Sequence, residues 1–316
     1  MLNIIYQLIR TARPRQWLKN LSVFAAPMFS ANIFDPTVLT LEIKAFFTFC
    51  ALSSATYFVN DIVDAPKDRM HPIKKNRPIA SGKLPILLAW IIAGILAVGS
   101  IVYSSLYIGS FFTYALMIYV CMQFAYSLYL RNVIILDALV VATGFVIRVF
   151  GGGLATNTSL SSWLILATIG ISLLLAFGKR RSEKTILKDY FAEDTKVKTR
   201  ETLKHYPDSL LDGMISMSAT FCIITYALFS FQISAEKLAP ALKPFLPSIL
   251  SNPKWMMLTI PFVIYGVARY LYVIYEKKDA ESPERVLLSD MPLLVTVGLW
   301  TAAVFAIIYW LPQLQW

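Results

Sequence analysis

The sequence predicts an all-α, polytopic integral membrane protein of about nine transmembrane helices. Three observations predict it. Of 316 residues, 57% are hydrophobic and 15% charged, against roughly 25% charged in soluble domains. The apolar residues fall into runs of about 20, the length that crosses roughly 30 Å of hydrocarbon. These runs are continuous rather than alternating, which argues against a transmembrane β-barrel.

Taken in order, the expected spans are 21–34, 41–60, 85–105, 109–130, 133–150, 163–178, 213–233, 256–275 and 291–312. No cleavable signal peptide is expected, because Arg10, Arg13, Arg15 and Lys19 crowd the N-terminus without a small-residue cleavage site after them. The first span is short, and Trp17 at its entrance suits the interfacial belt. The second span ends in Asn60-Asp61 and opens a loop over 61–84. Gly151-Gly152-Gly153, after the fifth span, marks a helix end or a close-packing site. The sixth exits into loop 179–212, which carries nine basic and seven acidic residues. Within it Thr195–His205 reads as a short surface helix, Pro207 breaks the chain, and Ser209 with Asp212 resembles a capping box. The loop 234–254 holds Pro240, Pro244, Pro247 and Pro253 and is expected to be irregular. Cys50, Cys121 and Cys222 lie in separate spans, with neither disulfide nor metal spacing, and read as small packing residues. The whole of 1–316 reads as one integral membrane domain, with 61–84 and 179–212 as its active-site loops.

Net charge is +10, and its distribution sets the topology. With nine spans, 23 of the 29 Lys and Arg fall on the N-terminus and the loops after spans 2, 4, 6 and 8. The opposite loops hold only Lys237, Lys243 and Lys254. That bias places the basic side, and the acidic cluster with it, in the cytoplasm, as in a multi-pass protein of the cell membrane. A basic face also suits anionic lipid heads. Nucleic acid is excluded as a partner, since no recognition motif accompanies the charge. There is no Walker A loop, dinucleotide glycine motif or nucleophile elbow, and two histidines do not make a zinc site.

The chemistry-bearing pattern is Asn60-Asp61-x-x-Asp64-x-x-x-Asp68. On a helix the three aspartates share one face with Asn60 on its flank. Carboxylates so close repel one another unless a cation lies between them. Oxygen ligands in this number suit Mg²⁺, which takes one or two carboxylates, waters and substrate phosphates. Asp61, Asp64 and Asn60 are therefore the expected catalytic residues, with Asp61, Asp64, Asp68 and Glu183 as the metal set. Pro66 should end or kink the helix near Asp64, so Asp68 is expected to approach from a loop. The bland alternative is a solvated acidic loop balanced by Lys67, Arg69, Lys74 and Lys75. The basic run His71 to Arg77 offers phosphate contacts in Lys74 and in Arg77, which Pro78 flanks, while His71 reads as structural. Lys19, nearest the membrane in Arg13-Pro14-Arg15-Gln16-Trp17-Leu18-Lys19-Asn20, is another, although topology alone also explains these cations. Asp137 and Arg148 lie within the fifth span, where ionisable groups are functional candidates. Gly178-Lys179-Arg180-Arg181-Ser182-Glu183 would form a second phosphate half-site through Lys179 and Arg180, or simply a stop-transfer group. Arg148 and Tyr126 complete the expected substrate-binding residues.

This aspartate pattern on a polytopic chain resembles the UbiA superfamily of intramembrane transferases. Arg13 to Pro27, Ser53 to Gly82, Asp137 to Gly153 and Gly178 to Glu183 all carry the likeness. The resemblance implies nine helices around a central cavity and a cytoplasmic, Mg²⁺-dependent diphosphate site. The chain departs from most members after span 6, where Lys179-Arg180-Arg181-Ser182-Glu183 stands in place of a second aspartate-rich motif. Within the superfamily it is most similar to the decaprenyl-phosphate phosphoribosyltransferases, through Arg13 to Asn20, Asp68 to Lys74, Arg77 to Ala80, Gly178 to Arg180 and Ser282 to Glu284. That likeness implies phosphoribosyl diphosphate as donor and a polyprenyl phosphate as acceptor, for arabinan-type cell-envelope glycans. The alternative is a UbiA-type transfer of a polyprenyl group from its diphosphate to an aromatic acceptor. A transporter is a third reading, disfavoured because most ionisable groups lie at one face rather than at the midplane. A homo-oligomer is compatible with all three.

Overall fold

The computed structural model describes residues 2–70, 74–190, 206–233, 254–277 and 283–314. Every regular element among them is helical. The expected surface helix at 195–205, the loop 234–253 and His71 lie outside the described residues. Among the described residues, eight helical segments are long and apolar enough to cross a membrane, and they overlap eight of the nine expected spans. The chain falls into two compact units. The first is Met1–Val140 with Ile147–Ser159; the second takes in Val141–Val146, Leu160–Thr195 and Arg200–Trp316.

In the first unit, α1 (Leu2–Ala12) is followed by a 3-10 helix, Pro14–Phe24, and a short α2, Ala25–Phe29. The expected span 21–34 is thus not one long α-helix. The 3-10 segment instead runs antiparallel beside α3 (Pro36–Asp68). Arg13 meets Asp61, Trp17 Nε1 donates to Ser54 Oγ at 3.1 Å, and Asn20 Nδ2 donates to Cys50 Sγ at 3.2 Å. Val23 then packs with Ala45 and Phe49. A 3-10 helix rises about 2.0 Å per residue, so these few residues cover more height than an α-turn would.

α3 has 33 residues, about 50 Å at 1.5 Å each, well beyond the hydrocarbon thickness. Its last turns, which carry the aspartates, therefore extend past the apolar part. Asp35 caps its start, accepting from Thr37 N at 2.8 Å and Val38 N at 3.2 Å, with Pro36 in the first turn. The Thr37 hydroxyl and these two amides hold the Asp35 carboxyl below the usual carboxylate range. Pro66 does not end α3, which continues to Asp68. Proline's missing amide forfeits a single bond, and it falls in the last turn, where little helix remains to disrupt.

α4 (Ile86–Tyr107) packs on α3 through Phe58, Ala65, Ala89 and Ala93. α5 (Ser110–Leu128) and α6 (Leu136–Thr156) come next. Phe49 meets Phe112 and Tyr119 edge-on, with centroids 5.5 and 5.8 Å apart. Gly151 and Gly152 are close-packing residues inside α6, not a helix end. A Cβ at Gly152 would lie 1.9 Å from the Val23 carbonyl oxygen.

The second unit contains α7 (Ser162–Tyr190), α8 (Asp208–Ile233), α9 (Ile260–Tyr272), α10 (Pro283–Ser289) and α11 (Met291–Phe305). α7 and α8 pack closely, because Gly170 leaves room for the Cys222 backbone. Cys50 and Cys222 are buried packing residues, but Cys121 is exposed. Arg269 holds Asp290 with two bonds of 3.0 Å, and Asp290 caps α11 at Leu293 N.

Candidate functional site: the charged end of α3

At the end of α3 each aspartate faces an arginine from elsewhere in the chain. Arg13 Nη2 lies 2.5 Å from Asp61 Oδ1. Arg77 Nη1 bridges Asp61 Oδ1 at 3.3 Å and Asp68 Oδ2 at 2.7 Å. Arg131 Nη1 lies 2.9 and 3.2 Å from the two Asp64 oxygens. Asn60 Oδ1 accepts from Ser127 Oγ at 2.5 Å. Because Asp61 and Asp68 share one guanidinium nitrogen, those two oxygens lie within about 6 Å of each other. Two carboxylates so placed repel by about 3 kcal/mol at an effective dielectric of 20, and the Arg77 guanidinium between them offsets that repulsion.

Local structure delivers these arginines. Arg13 adopts φ 54°, ψ 62°, a left-handed conformation rare for a side chain with a Cβ. Pro14 disfavours the ordinary helical conformation just before it. Strain of this kind persists only where neighbours enforce it. Here Ser54 Oγ donates to Ala12 O at 3.0 Å, and the Arg13 guanidinium sits 5.0 Å above the Tyr57 ring. Arg77 closes a 3-10 turn over Lys74–Asn76, and buried Ile79 and Leu84 anchor the chain on its way into α4. Arg131 sits in the 3-10 turn Leu130–Asn132 after α5.

Deeper in this unit, buried Arg148 donates from Nε to Asn20 Oδ1 at 2.7 Å and from Nη2 to Tyr119 OH at 2.9 Å. It therefore ties α6 to the 3-10 segment and to α5. Asp137, on the same helix, is buried as well. Lys19 donates to Gln16 Oε1 at 2.5 Å, whereas Arg13 from the same stretch reaches the aspartates. Lys74 is exposed, and Tyr126 is half-buried on α5 beside Ser127.

In the second unit, α7 exits through a cluster of its own. Buried Arg180 bonds Glu183, and Lys179 Nζ lies 3.8 Å from the same carboxylate. Arg181 Nε holds Asp212 at 2.9 Å, and Tyr275 OH donates to that oxygen at 2.9 Å. Lys184 reaches Asp208 at 2.7 Å. α8 begins at Asp208, and Asp212 is engaged by these side chains rather than closing the expected capping box. A Cβ at Gly178 would lie 2.7 Å from Ile274 Cδ1, which is why glycine stands there.

Sequence reasoning missed Arg13 and Arg131 as aspartate partners. Arg131 carried one signal, as a lone cation after span 4 on the side of the aspartates. Among the described residues no three His, Cys, Asp or Glu side chains converge into a ready-made metal cage. The donor set still fits Mg²⁺, since the hard oxygens of Asp61 and Asp68 already converge on one cationic nitrogen.

Fold and charge together define a polytopic helical membrane protein with arginine-clasped carboxylates at one helix end. Residues 21–180 match the model of the UbiA prenyltransferase family, and the chain belongs to that family. It is 34% identical to a decaprenyl-phosphate phosphoribosyltransferase of Mycolicibacterium smegmatis, over 97% of this chain and 94% of that protein. A protein of the same name from Corynebacterium glutamicum is 32% identical, over 98% and 89%. The fold is similar to that of a UbiA homologue from Archaeoglobus fulgidus bound to GPP and Mg²⁺, with TM-score 0.67 and 18% identity over 96% of this chain and 99% of that one.

Proposed function

We propose that this protein transfers the 5-phosphoribosyl group of phosphoribosyl diphosphate to a polyprenyl phosphate at the cytoplasmic face of the cell membrane. The products are polyprenyl-phosphoryl-ribose 5-phosphate, a precursor for cell-envelope glycans, and diphosphate. The carrying observation is the interleaving of Arg13, Arg77 and Arg131 with Asp61, Asp64 and Asp68, in a chain that aligns nearly end to end with relatives of that activity.

Three phosphate-bearing groups meet in this reaction: a diphosphate, a 5-phosphate and the acceptor phosphate. Carboxylates alone would repel them. Asp61, Asp64 and Asp68 would hold Mg²⁺, which supplies neutralising charge to the departing diphosphate. Arg13, Arg77 and Arg131 offer bidentate donors to phosphate oxygens, the geometry that guanidinium matches best. In the second unit, Lys179 and Arg180 are engaged with Glu183. An acceptor phosphate oxygen forms the new bond to ribose C1. The C1–O bond to diphosphate breaks, and its electron pair leaves with diphosphate. The nucleophile is already anionic, so no general base is needed, and catalysis rests on positioning and electrostatics.

The test combines purified protein, Mg²⁺, phosphoribosyl diphosphate and a polyprenyl phosphate. Diphosphate release that needs all three additions is expected. No release, together with turnover of a prenyl diphosphate and an aromatic acid, would overturn the reading in favour of aromatic prenylation.

A further inference from the structure

Within the first unit, a groove lies between α3, α4 and α5 that none of the ion pairs uses. It exists because small side chains face it: Ala55 on α3, and Ala93 and Ala97 on α4. Leu52, Val59 and Val120 make most of the remaining wall apolar. On the rim Phe124 is 48% exposed, so the groove opens on the outer surface of the helices, where a membrane protein meets lipid.

Its residue types change along its length, although nearly all of its surface is apolar. From Leu52 to Asn60 the α3 wall rises about 12 Å by helical geometry. The far end is hydrocarbon-like. The near end carries Gln123 and the hydrogen-bonded pair Asn60 and Ser127. One residue past Asn60 is Asp61, held by Arg13 and Arg77. Four residues past Ser127 is Arg131, held on Asp64. An apolar slot thus ends about one helical turn short of the Asp64–Arg131 pair.

We infer that this groove seats the first isoprene units of the acceptor lipid, with its phosphate directed to the arginine and aspartate cluster. The inference rests on the phosphoribosyl-transfer reading and adds where the acceptor binds. Phosphoribosyl diphosphate is polar throughout and has no part that would gain from an apolar slot. A polyprenyl phosphate has one anionic end and a long apolar chain that must stay out of water. The groove lets the chain remain in the hydrocarbon while the phosphate reaches the donor. An ordinary membrane phospholipid is the competing occupant.

Two measurements test this. Ala97→Phe fills the apolar part of the groove away from every charged group. It should raise KM for polyprenyl phosphate about tenfold, equivalent to losing roughly two buried methylenes. KM for phosphoribosyl diphosphate should stay unchanged. Unchanged acceptor KM in a folded variant overturns the groove while leaving phosphoribosyl transfer intact; wild-type protein that releases no diphosphate overturns both. The second measurement holds even if Ala97→Phe does not fold. A polyprenyl phosphate with a diazirine near its phosphate end is photo-cross-linked to wild-type protein in phospholipid vesicles and mapped by mass spectrometry. Adducts at 93–97 or 120–124, suppressed by unlabelled polyprenyl phosphate but not by extra phospholipid, support the inference. Adducts elsewhere, or equal suppression by phospholipid, reject it.

Discussion

The ends of α3 and α7 are both built from ion pairs, but their burial is inverted. At α3 the carboxylates are the buried partners: Asp61 and Asp68 side chains are 3% and 6% exposed, while Arg13 and Arg77 are 29% and 27%. At α7 the cation is buried, with Arg180 at 2% and Glu183 at 22%. The buried partner is the one that packing holds in place, and the exposed partner is the one able to change its contacts. Asp61 and Asp68 are therefore fixed carboxylates whose partners Arg13 and Arg77 can turn to an incoming phosphate. The α7 end presents a fixed guanidinium. The first suits a metal and the second an anion.

Breaking the fixed group at α3 should have the largest effect. Asp61→Asn is expected to lower kcat/KM by about a hundredfold or more while the protein still folds. Near-wild-type turnover in that variant would end the metal assignment. The fixed group at α7 comes next. Arg180→Met should destabilise the protein by about 2 kcal/mol, through lost packing and hydrogen bonding of a buried side chain, while Glu183 keeps solvent and Lys179. Lys184→Ala, at the more exposed pair with Asp208, should cost under about 1 kcal/mol. Thermal unfolding in one detergent compares the two, and equal losses would erase the contrast in burial.

Arg131, at the pair whose two partners are about equally exposed, should show a smaller effect of a different kind. Arg131→Ala is expected to raise KM for phosphoribosyl diphosphate about tenfold, with Arg131→Lys recovering part, because a point charge replaces a two-pronged donor. If lysine restores everything, bidentate contact is not what Arg131 supplies.

The smallest effect belongs to the exposed cap of α3. The Asp35 carboxyl has a folded pKa below its unfolded one, so its stabilisation is present above the unfolded value and lost as pH falls through the folded value. Asp35→Ala should lower Tm slightly at neutral pH, with the difference from wild type vanishing in acid. A difference that persists below the carboxylate range would assign the loss to something other than charge.

Fold class and eight of the spans were legible in the sequence, because hydrocarbon imposes its length on each segment separately. So was the aspartate cluster, whose members are neighbours along one helix. What each aspartate faces was not. Arg13 and Arg131 are 48 and 67 residues from their partners, and only packing of α1, α3 and α5 brings them in. Lys19 looked better placed on position alone, yet the left-handed turn at Arg13 aims the earlier side chain. Pro66 shows the same limit from the other side. A local rule expected a break, and a long helix with buried Ala65 and Asp68 absorbed the proline. The expected first span is not one long α-helix, because hydropathy reports how apolar a segment is, not how its backbone winds. The 3-10 segment that leads into it lies along α3 from Ser54 to Ala45. The sequence by itself determined which parts of this chain enter the membrane and where its carboxylates gather. Only the tertiary structure decided which charges are held and which can move, since burial of a charged group depends on segments far away in the chain.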